Sequence, residues 1–353
     1  MILSFRKSAS RECVETAVRR LAENGLNCQI VAGADNLVIV VTSPCEAMPG
    51  HFFSHLEGVE KVVKLTARSP LAAESGCSVV KIGSAGSGRI ALGEGKEPVV
   101  IAGPCSVESR EQIIATAGAV KTAGAQALRG GAFKPRTNPY DFQGLGLDGL
   151  KFMAEAGQAS GMPVVSEVMD VRDIEAAEPY LDVFQVGARN MYNYDLLKEL
   201  GRQTKPVLLK RGLSATIDEL LQAAEYILVS GNLQVILCER GIRTYETRVR
   251  NTLDLSAVVI LKSLTALPVL VDPSHATGKR AYVRALSRAA IACGADGLIV
   301  EAHLEPERSI SDAAQAIDPA TLKEIVEDAA LLSDVLGKRD RQQSLPDLKM
   351  PVS

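Results

Sequence analysis

The chain has 353 residues, 46% of them apolar and 23% charged, with a formal net charge of −3 at pH 7. That length can bury a large core and suits one big domain with a small appendage, while the slightly acidic balance gives no global field favouring nucleic acid or an anionic membrane. The longest apolar runs reach only about five to seven residues against the roughly 20 that cross a bilayer, and the N-terminus has no export-signal pattern, so a cytoplasmic protein is expected.

In chain order, a small βαββαβ unit comes first. A strand is expected at Ile2 to Arg6, a helix across Ser10 to Asn24, and strands at Cys28 to Val31 and Leu37 to Thr42; a helix near His51 to Leu56 and a strand at Val59 to Leu65 complete it. In the first helix Cys13, Ala17, Val18 and Leu21 share a face, and Gly25 is placed to stop it. This is a ferredoxin-like pattern, assigned to residues 1–70. Residues 71–97 turn to Ser, Gly, Pro and charge, broken by one short strand at Val79 to Ile82 that would cap the next domain.

From residue 98 to 337 short β-branched runs alternate with helix-length segments: Val99 to Ala102, Ala125 to Leu128, Pro163 to Val168, Asp182 to Val186, Pro206 to Leu209, Gln234 to Cys238, Pro268 to Val271 and Asp296 to Val300. Near-continuous apolar strands with helices between them indicate a parallel sheet covered on both faces. Eight of them over roughly 240 residues match a closed (β/α)8 TIM barrel, with an open doubly wound sheet as the rival. Ser106 would cap the first barrel helix, and Asp318 with Pro319 would open the last, whose inner stripe is Leu322, Ile325, Val326, Ala329 and Leu332. Residues 338–353 form a tail.

The seven cysteines (Cys13, Cys28, Cys45, Cys77, Cys105, Cys238 and Cys293) include no CxxC pair, and their odd number argues against a disulfide framework. Cys238 lies inside the sixth barrel strand and is assigned to the core. Cys13, Cys28, Cys45, Cys77 and Cys293 are assigned to packing or surface.

In a barrel, the strand C-termini open into one mouth, so the reactive residues that follow each strand would meet there. Strand one leads to Cys105, strand two to Arg129, strand three carries Glu167, and strand four leads to Arg189. Strand five ends at Lys210, strand six at Glu239 and Arg240, strand seven at Asp272 and His275, and strand eight at Glu301 and His303. Cys105, His275, Glu301 and, in the last loop, Asp312 make a mixed donor set that suits a divalent ion of the Mn, Fe, Co or Zn class better than Mg or Ca. Arg129, Lys134, Arg136, Arg189, Lys210, Arg240 and Arg243 form a second constellation. Cations at strand ends are costly to bury without anionic partners, and this many point to two or more phosphate or carboxylate groups. The glycine- and proline-rich segment from Arg129 to Gly144 can lay Lys134, Arg136 and the Thr137 hydroxyl around a phosphate.

Together, Gly103-Pro104-Cys105-Ser106, Arg129-Gly130-Gly131, Lys134-Pro135-Arg136-Thr137, Glu167-Val168-Met169-Asp170, Gln185-Val186-Gly187-Ala188-Arg189-Asn190, Lys210-Arg211-Gly212, Glu239-Arg240-Gly241-Ile242-Arg243-Thr244, Asp272-Pro273-Ser274-His275 and Ser311-Asp312 resemble the 3-deoxy-D-arabino-heptulosonate 7-phosphate (DAHP) synthase family over nearly the whole chain. The resemblance implies condensation of phosphoenolpyruvate with erythrose 4-phosphate and water, releasing phosphate, as the first step of the shikimate pathway. By motif it implies metal ligation by Cys105, His275, Glu301 and Asp312. It places Arg129, Lys134, Glu167, Arg189, Lys210 and Arg240 around phosphoenolpyruvate, and Arg136, Thr137 and Asp272 around erythrose 4-phosphate. Lys134 is the expected proton-transfer group, with Cys105 and His275 beside it in the chemistry.

The N-terminal unit resembles the regulatory domain of one branch of this family, which implies inhibition by tyrosine or phenylalanine and a homotetramer. The chain departs from the family pattern at Asn138, at Ala302 and Leu304 around His303, and at Ala313 to Ala316. The sister 3-deoxy-D-manno-octulosonate 8-phosphate (KDO8P) synthases share the barrel and phosphoenolpyruvate but take arabinose 5-phosphate. They usually carry Lys-Ala-Asn-Arg where this chain has Lys134-Pro135-Arg136-Thr137, and they lack the N-terminal unit. A non-catalytic regulatory barrel is the remaining alternative.

Overall fold

The computed structural model describes residues 1–340 apart from Lys7, residues 33–36, Pro44, Glu46, Ala47, Pro49, residues 64–68, 75–77 and 84–87, and Thr137. The first unit runs β1 (Ile2–Phe5), α1 (Arg11–Glu23), β2 (Cys28–Ala32), β3 (Leu37–Val41), α2 (Gly50–Ser54) and β4 (Val59–Val63). Its strands pair antiparallel in the order β2-β3-β1-β4, the ferredoxin-like arrangement. Period-two alternation sends Leu3, Phe5, Ile39 and Val41 to one face, against Val14, Ala17 and Leu21 of α1 and Phe53 of α2. Val14 takes the inner position that the sequence pattern offered to Cys13 and Val18, which are half-buried. The Ser10 side chain caps α1 by accepting from the Cys13 N–H at 3.2 Å. Gly25, with φ +72°, ends it in the left-handed conformation that a side chain disfavours.

The connector contains α3 (Pro70–Glu74) and an antiparallel hairpin of β5 (Val79–Ile82) and β6 (Ile90–Gly93). Only β5 was expected, because Gly and Ser mask the apolar pattern around β6. Val80, Ile82 and Leu92 of the hairpin are fully buried and close one end of the barrel interior, packing with Val99, Ile101, Val183 and Leu208. The Leu71 and Ala72 N–H groups at the start of α3 donate to the two carboxylate oxygens of Glu225 at 2.9 and 3.0 Å, which ties the connector to the barrel wall.

The barrel follows as β7 (Val99–Gly103), α4 (Arg110–Thr122), β8 (Ala127–Arg129), α5 (Leu147–Ser160), β9 (Val164–Glu167), α6 (Ile174–Ala177), β10 (Val183–Val186), α7 (Tyr194–Leu200) and β11 (Val207–Lys210). It continues with α8 (Ile217–Val229), β12 (Val235–Glu239), α9 (Leu255–Leu264), β13 (Val269–Val271), α10 (Pro273–Thr277), α11 (Arg280–Ala292), β14 (Gly297–Glu301) and α12 (Pro319–Asp340). All eight strands β7 to β14 are parallel to their neighbours, and β14 pairs back onto β7 from Gly297↔Val99 to Glu301↔Gly103, so the barrel is closed. In β7, Val99 and Ile101 point inward while Val100 and Ala102 meet the helices, which is why these strands read as unbroken apolar runs.

Two helix ends sharpen the sequence reading. The cap of α4 is Ser109, whose Oγ accepts from the Gln112 N–H at 3.0 Å, whereas Ser106 is fully buried and bridges to Gly131. At α12 the expected cap holds: Asp318 Oδ1 accepts from the Thr321 N–H at 2.7 Å. Among the described residues no helix is long and apolar enough to cross a membrane, and every described cysteine is a free thiol, with Cys238 buried. Cys77 lies outside the described residues.

Candidate active site

The strand ends converge as parallel closure requires. Cys105, His275, Glu301 and Asp312 each offer one ligand atom, and these four atoms lie within 4.8 Å of one another. Each is aimed by a neighbour. Asp272 caps α10, its Oδ1 accepting from the His275 N–H at 2.9 Å, while its Oδ2 lies 2.7 Å from His275 Nδ1. With Nδ1 held by that carboxylate, Nε2 is the ring nitrogen turned to the cluster, 3.1 Å from Glu301 Oε1. Glu301 Oε1 is buried and makes no hydrogen bond, though the Arg129 guanidinium also lies 3.2 Å away. Asp312 sits at φ +54°, a conformation that residues other than glycine disfavour, and its Oδ2 is 3.4 Å from the Cys105 thiol.

Burial and neighbouring charges act against each other on these groups. Burial pushes the Cys105 thiol up, Glu301 adds to the effect and Lys134 opposes it. Burial would also raise the Glu301 carboxyl, but His275 and Arg129 outweigh it and hold the group well below the usual range. Asp272 is likewise kept ionised against its burial by His275 and Lys210. A thiol, an imidazole and two carboxylates, with one carboxylate oxygen buried and lacking a hydrogen-bond donor, fit a borderline divalent metal.

Beside this cluster, Arg129, Lys134, Glu167, Arg189, Lys210 and Arg240 all line one cleft together with His275. Lys134 Nζ donates to the Cys105 carbonyl at 2.9 Å and lies 3.0 Å from its sulfur. Lys210 Nζ sits 2.5 Å from Asp272 Oδ2. Burial lowers the Arg240 guanidinium, and Asp272 offsets part of that cost. An adjoining, wider cleft is lined by Lys134, Arg136, Asn138, Arg189, Arg243, Arg250 and Asp312. Arg136 is anchored there by the Phe142 carbonyl at 3.0 Å and by the Ser311 hydroxyl. Glycine makes part of this space: a Cβ at Gly187 would lie 2.0 Å from Glu167 Oε1, so its absence lets that carboxylate enter the cleft.

Some expected residues go elsewhere. Asp272 is fully buried beneath His275 and Lys210, lines neither cleft, and so is withheld from the sugar-phosphate role set out for it. Its spacing after β13 had not distinguished a substrate ligand from a helix cap. Glu239 faces away from the mouth and pairs with Arg211, which also holds Asp254, at 2.8 and 2.9 Å. His303 is buried, its Nδ1 accepting from the Glu305 N–H at 3.0 Å. Thr137 lies outside the described residues. Arg250, Gln315 and Gln185 were missed. Gln315 lies three residues after Asp312 and Gln185 opens the motif that carries Arg189, but neither amide marks a role by its residue type, and Arg250 directly follows no barrel strand.

Comparison with known proteins follows the same lines. The family model described as the DAHP synthetase I family matches residues 66–335. A phospho-2-dehydro-3-deoxyheptonate aldolase of Thermotoga maritima is 44% identical over 340 residues, covering 96% of this chain and 99% of its own. The crystal structure of the DAHP synthase from that organism superposes with a TM-score of 0.73 at 43% identity, covering 95% of this chain and 98% of its own. A 2-dehydro-3-deoxyphosphooctonate aldolase of Syntrophotalea carbinolica is more distant, 33% identical over 256 residues and covering 66% of this chain and 91% of its own. The octulosonate relative thus leaves a third of the chain unmatched, while the heptonate relative matches it nearly end to end, and the chain belongs to the DAHP synthetase I family.

Proposed function

We propose that the protein condenses phosphoenolpyruvate with erythrose 4-phosphate and water to give DAHP and inorganic phosphate. The observation that carries this reading is the adjacency of a cation-lined cleft and a four-donor cluster at one barrel mouth. Arg129, Lys134, Arg189, Lys210 and Arg240 would hold the phosphate and carboxylate of phosphoenolpyruvate, with Glu167 bounding the cleft; Arg136 and Thr137 would hold the sugar phosphate. Cys105, His275, Glu301 and Asp312 would bind one divalent ion, which supplies Lewis-acid polarisation of the acceptor aldehyde. The fixed cations offset repulsion between two phosphorylated substrates and orient the enol carbon toward the aldehyde carbon, where the new C–C bond forms. Water adds at C2 of the former enol and phosphate leaves, so the keto acid results. Lys134, which reaches both clefts, would hold the proton delivered to the aldehyde oxygen.

The same reading assigns residues 1–70 to a regulatory domain binding tyrosine or phenylalanine, residues 98–337 to the catalytic barrel, and the assembly to a cytoplasmic homotetramer. Support for the first is the ferredoxin-like sheet together with the match to the Thermotoga relative through that region. Steady-state phosphate release with erythrose 4-phosphate and with arabinose 5-phosphate, under several divalent metals, tests the substrate assignment. Turnover is expected to favour the four-carbon sugar. Preference for arabinose 5-phosphate would transfer the assignment to KDO8P synthesis.

A further inference from the structure

Gln315, in the loop between β14 and α12, is 2% exposed. Its Nε2 donates to Glu301 Oε2 at 2.7 Å, and its Oε1 accepts from Arg250 Nη1 at 3.2 Å. The same Arg250 nitrogen donates to Asp312 Oδ1 at 3.2 Å. The backbone closes the circuit, since the Gln315 N–H donates to the Asp312 carbonyl at 3.0 Å, across the turn in which Asp312 takes its positive φ. One buried amide therefore touches one carboxylate of the four-donor cluster directly and reaches the other through a single guanidinium.

We propose that Gln315 is a positioning residue for the metal site, selecting Oε1 of Glu301 as the ligand atom and, through Arg250, holding Asp312 at its strained turn. This rests on the metal reading above. The residue type suits the task. An amide can donate to a carboxylate and accept from an arginine at the same time without adding charge. Glutamate would bring a third carboxylate against Glu301, a cation would repel Arg250 and the ion, and methionine would take the donor from Glu301 Oε2 and leave Arg250 Nη1 only Asp312 of its two acceptors. With Oε2 engaged by Gln315, Oε1 is the oxygen left without a hydrogen-bond donor, and it faces His275 Nε2. A group that fixes which lone pair points inward pre-organises the site.

The test is equilibrium Co(II) binding by the metal-stripped full-length protein, read by competition with a chromophoric chelator and by the thiolate charge-transfer and d–d bands. Wild type is expected to bind one ion with a thiolate band. Failure to do so would overturn the metal reading, and the proposal with it. Given such binding, Q315M and Q315E are expected to bind roughly 10–100-fold more weakly and with altered d–d bands, as loss of an orienting partner requires. Wild-type affinity and an unchanged spectrum in folded Q315M would overturn the proposal while leaving the metal reading intact. Should Q315M not fold, R250M decides, because Arg250 is 41% exposed and its truncation spares the core. Weakened Co(II) binding by R250M is expected, and unchanged binding would count against the role assigned to the bridge.

Discussion

Gly187 is where a single atom bears most directly on the chemistry. A methyl group there would lie 2.0 Å from Glu167 Oε1, and because that oxygen ends a flexible side chain, the fold can yield by moving it. Gly187→Ala is therefore expected to leave thermal stability nearly unchanged while lowering kcat/KM by roughly 100-fold, the scale of a displaced active-site group. Equal kcat/KM would show that Glu167 has no work at that position. Residue-level reading of the sequence went furthest where a barrel maps chain position onto place. Cys105, Arg129, Lys210 and Glu301 were legible because each ends or follows a strand. It failed at Asp272, a fully buried carboxylate that caps α10 and bonds His275 Nδ1. It also failed at Gln315 and Arg250, which meet 65 residues apart and carry no mark of residue type.

Among the elements, α11 and α12 are joined by a charge cluster in which Asp328 accepts from Arg284 and Arg288 at 2.8 and 2.7 Å. Hydrogen bonds from Arg288 and then Arg284 lower the Asp328 carboxyl from its ordinary value of 3.8. A depressed acid stabilises the fold fully above its unfolded value and loses that contribution as pH falls through its folded value. Asp328→Asn is therefore expected to cost roughly 0.5–1 kcal/mol at neutral pH, small because both arginines are partly exposed. The gap between the two unfolding curves should narrow below about pH 4. A gap that stays constant down to pH 2 would exclude the ion pair as its source. At this scale the strands and most helices were readable from apolar runs, Pro and caps. The β6 strand and α3 were not, since glycine-rich sequence hides a strand whose role is to plug the barrel with Leu92, and a five-residue helix has little periodicity to show.

For the whole molecule, the barrel and the N-terminal sheet differ in what the sequence discloses. Parallel order follows from eight buried strands and closure is seen in the pairing of β14 with β7, whereas a small antiparallel sheet states a fold and little about ligands. Deleting residues up to Gly76 is expected to leave condensation by the barrel in place and to abolish inhibition by tyrosine or phenylalanine in a steady-state assay. Inhibition that survives the deletion would remove the regulatory role from this unit. The central claim is that one barrel mouth brings a divalent ion and two phosphorylated substrates together. It is tested most directly by phosphate release from phosphoenolpyruvate and erythrose 4-phosphate before chelation, after it, and after adding back Mn(II). The account predicts release that vanishes on chelation and returns with the ion; release that is unaffected by chelation, or absent under every divalent metal, would contradict it.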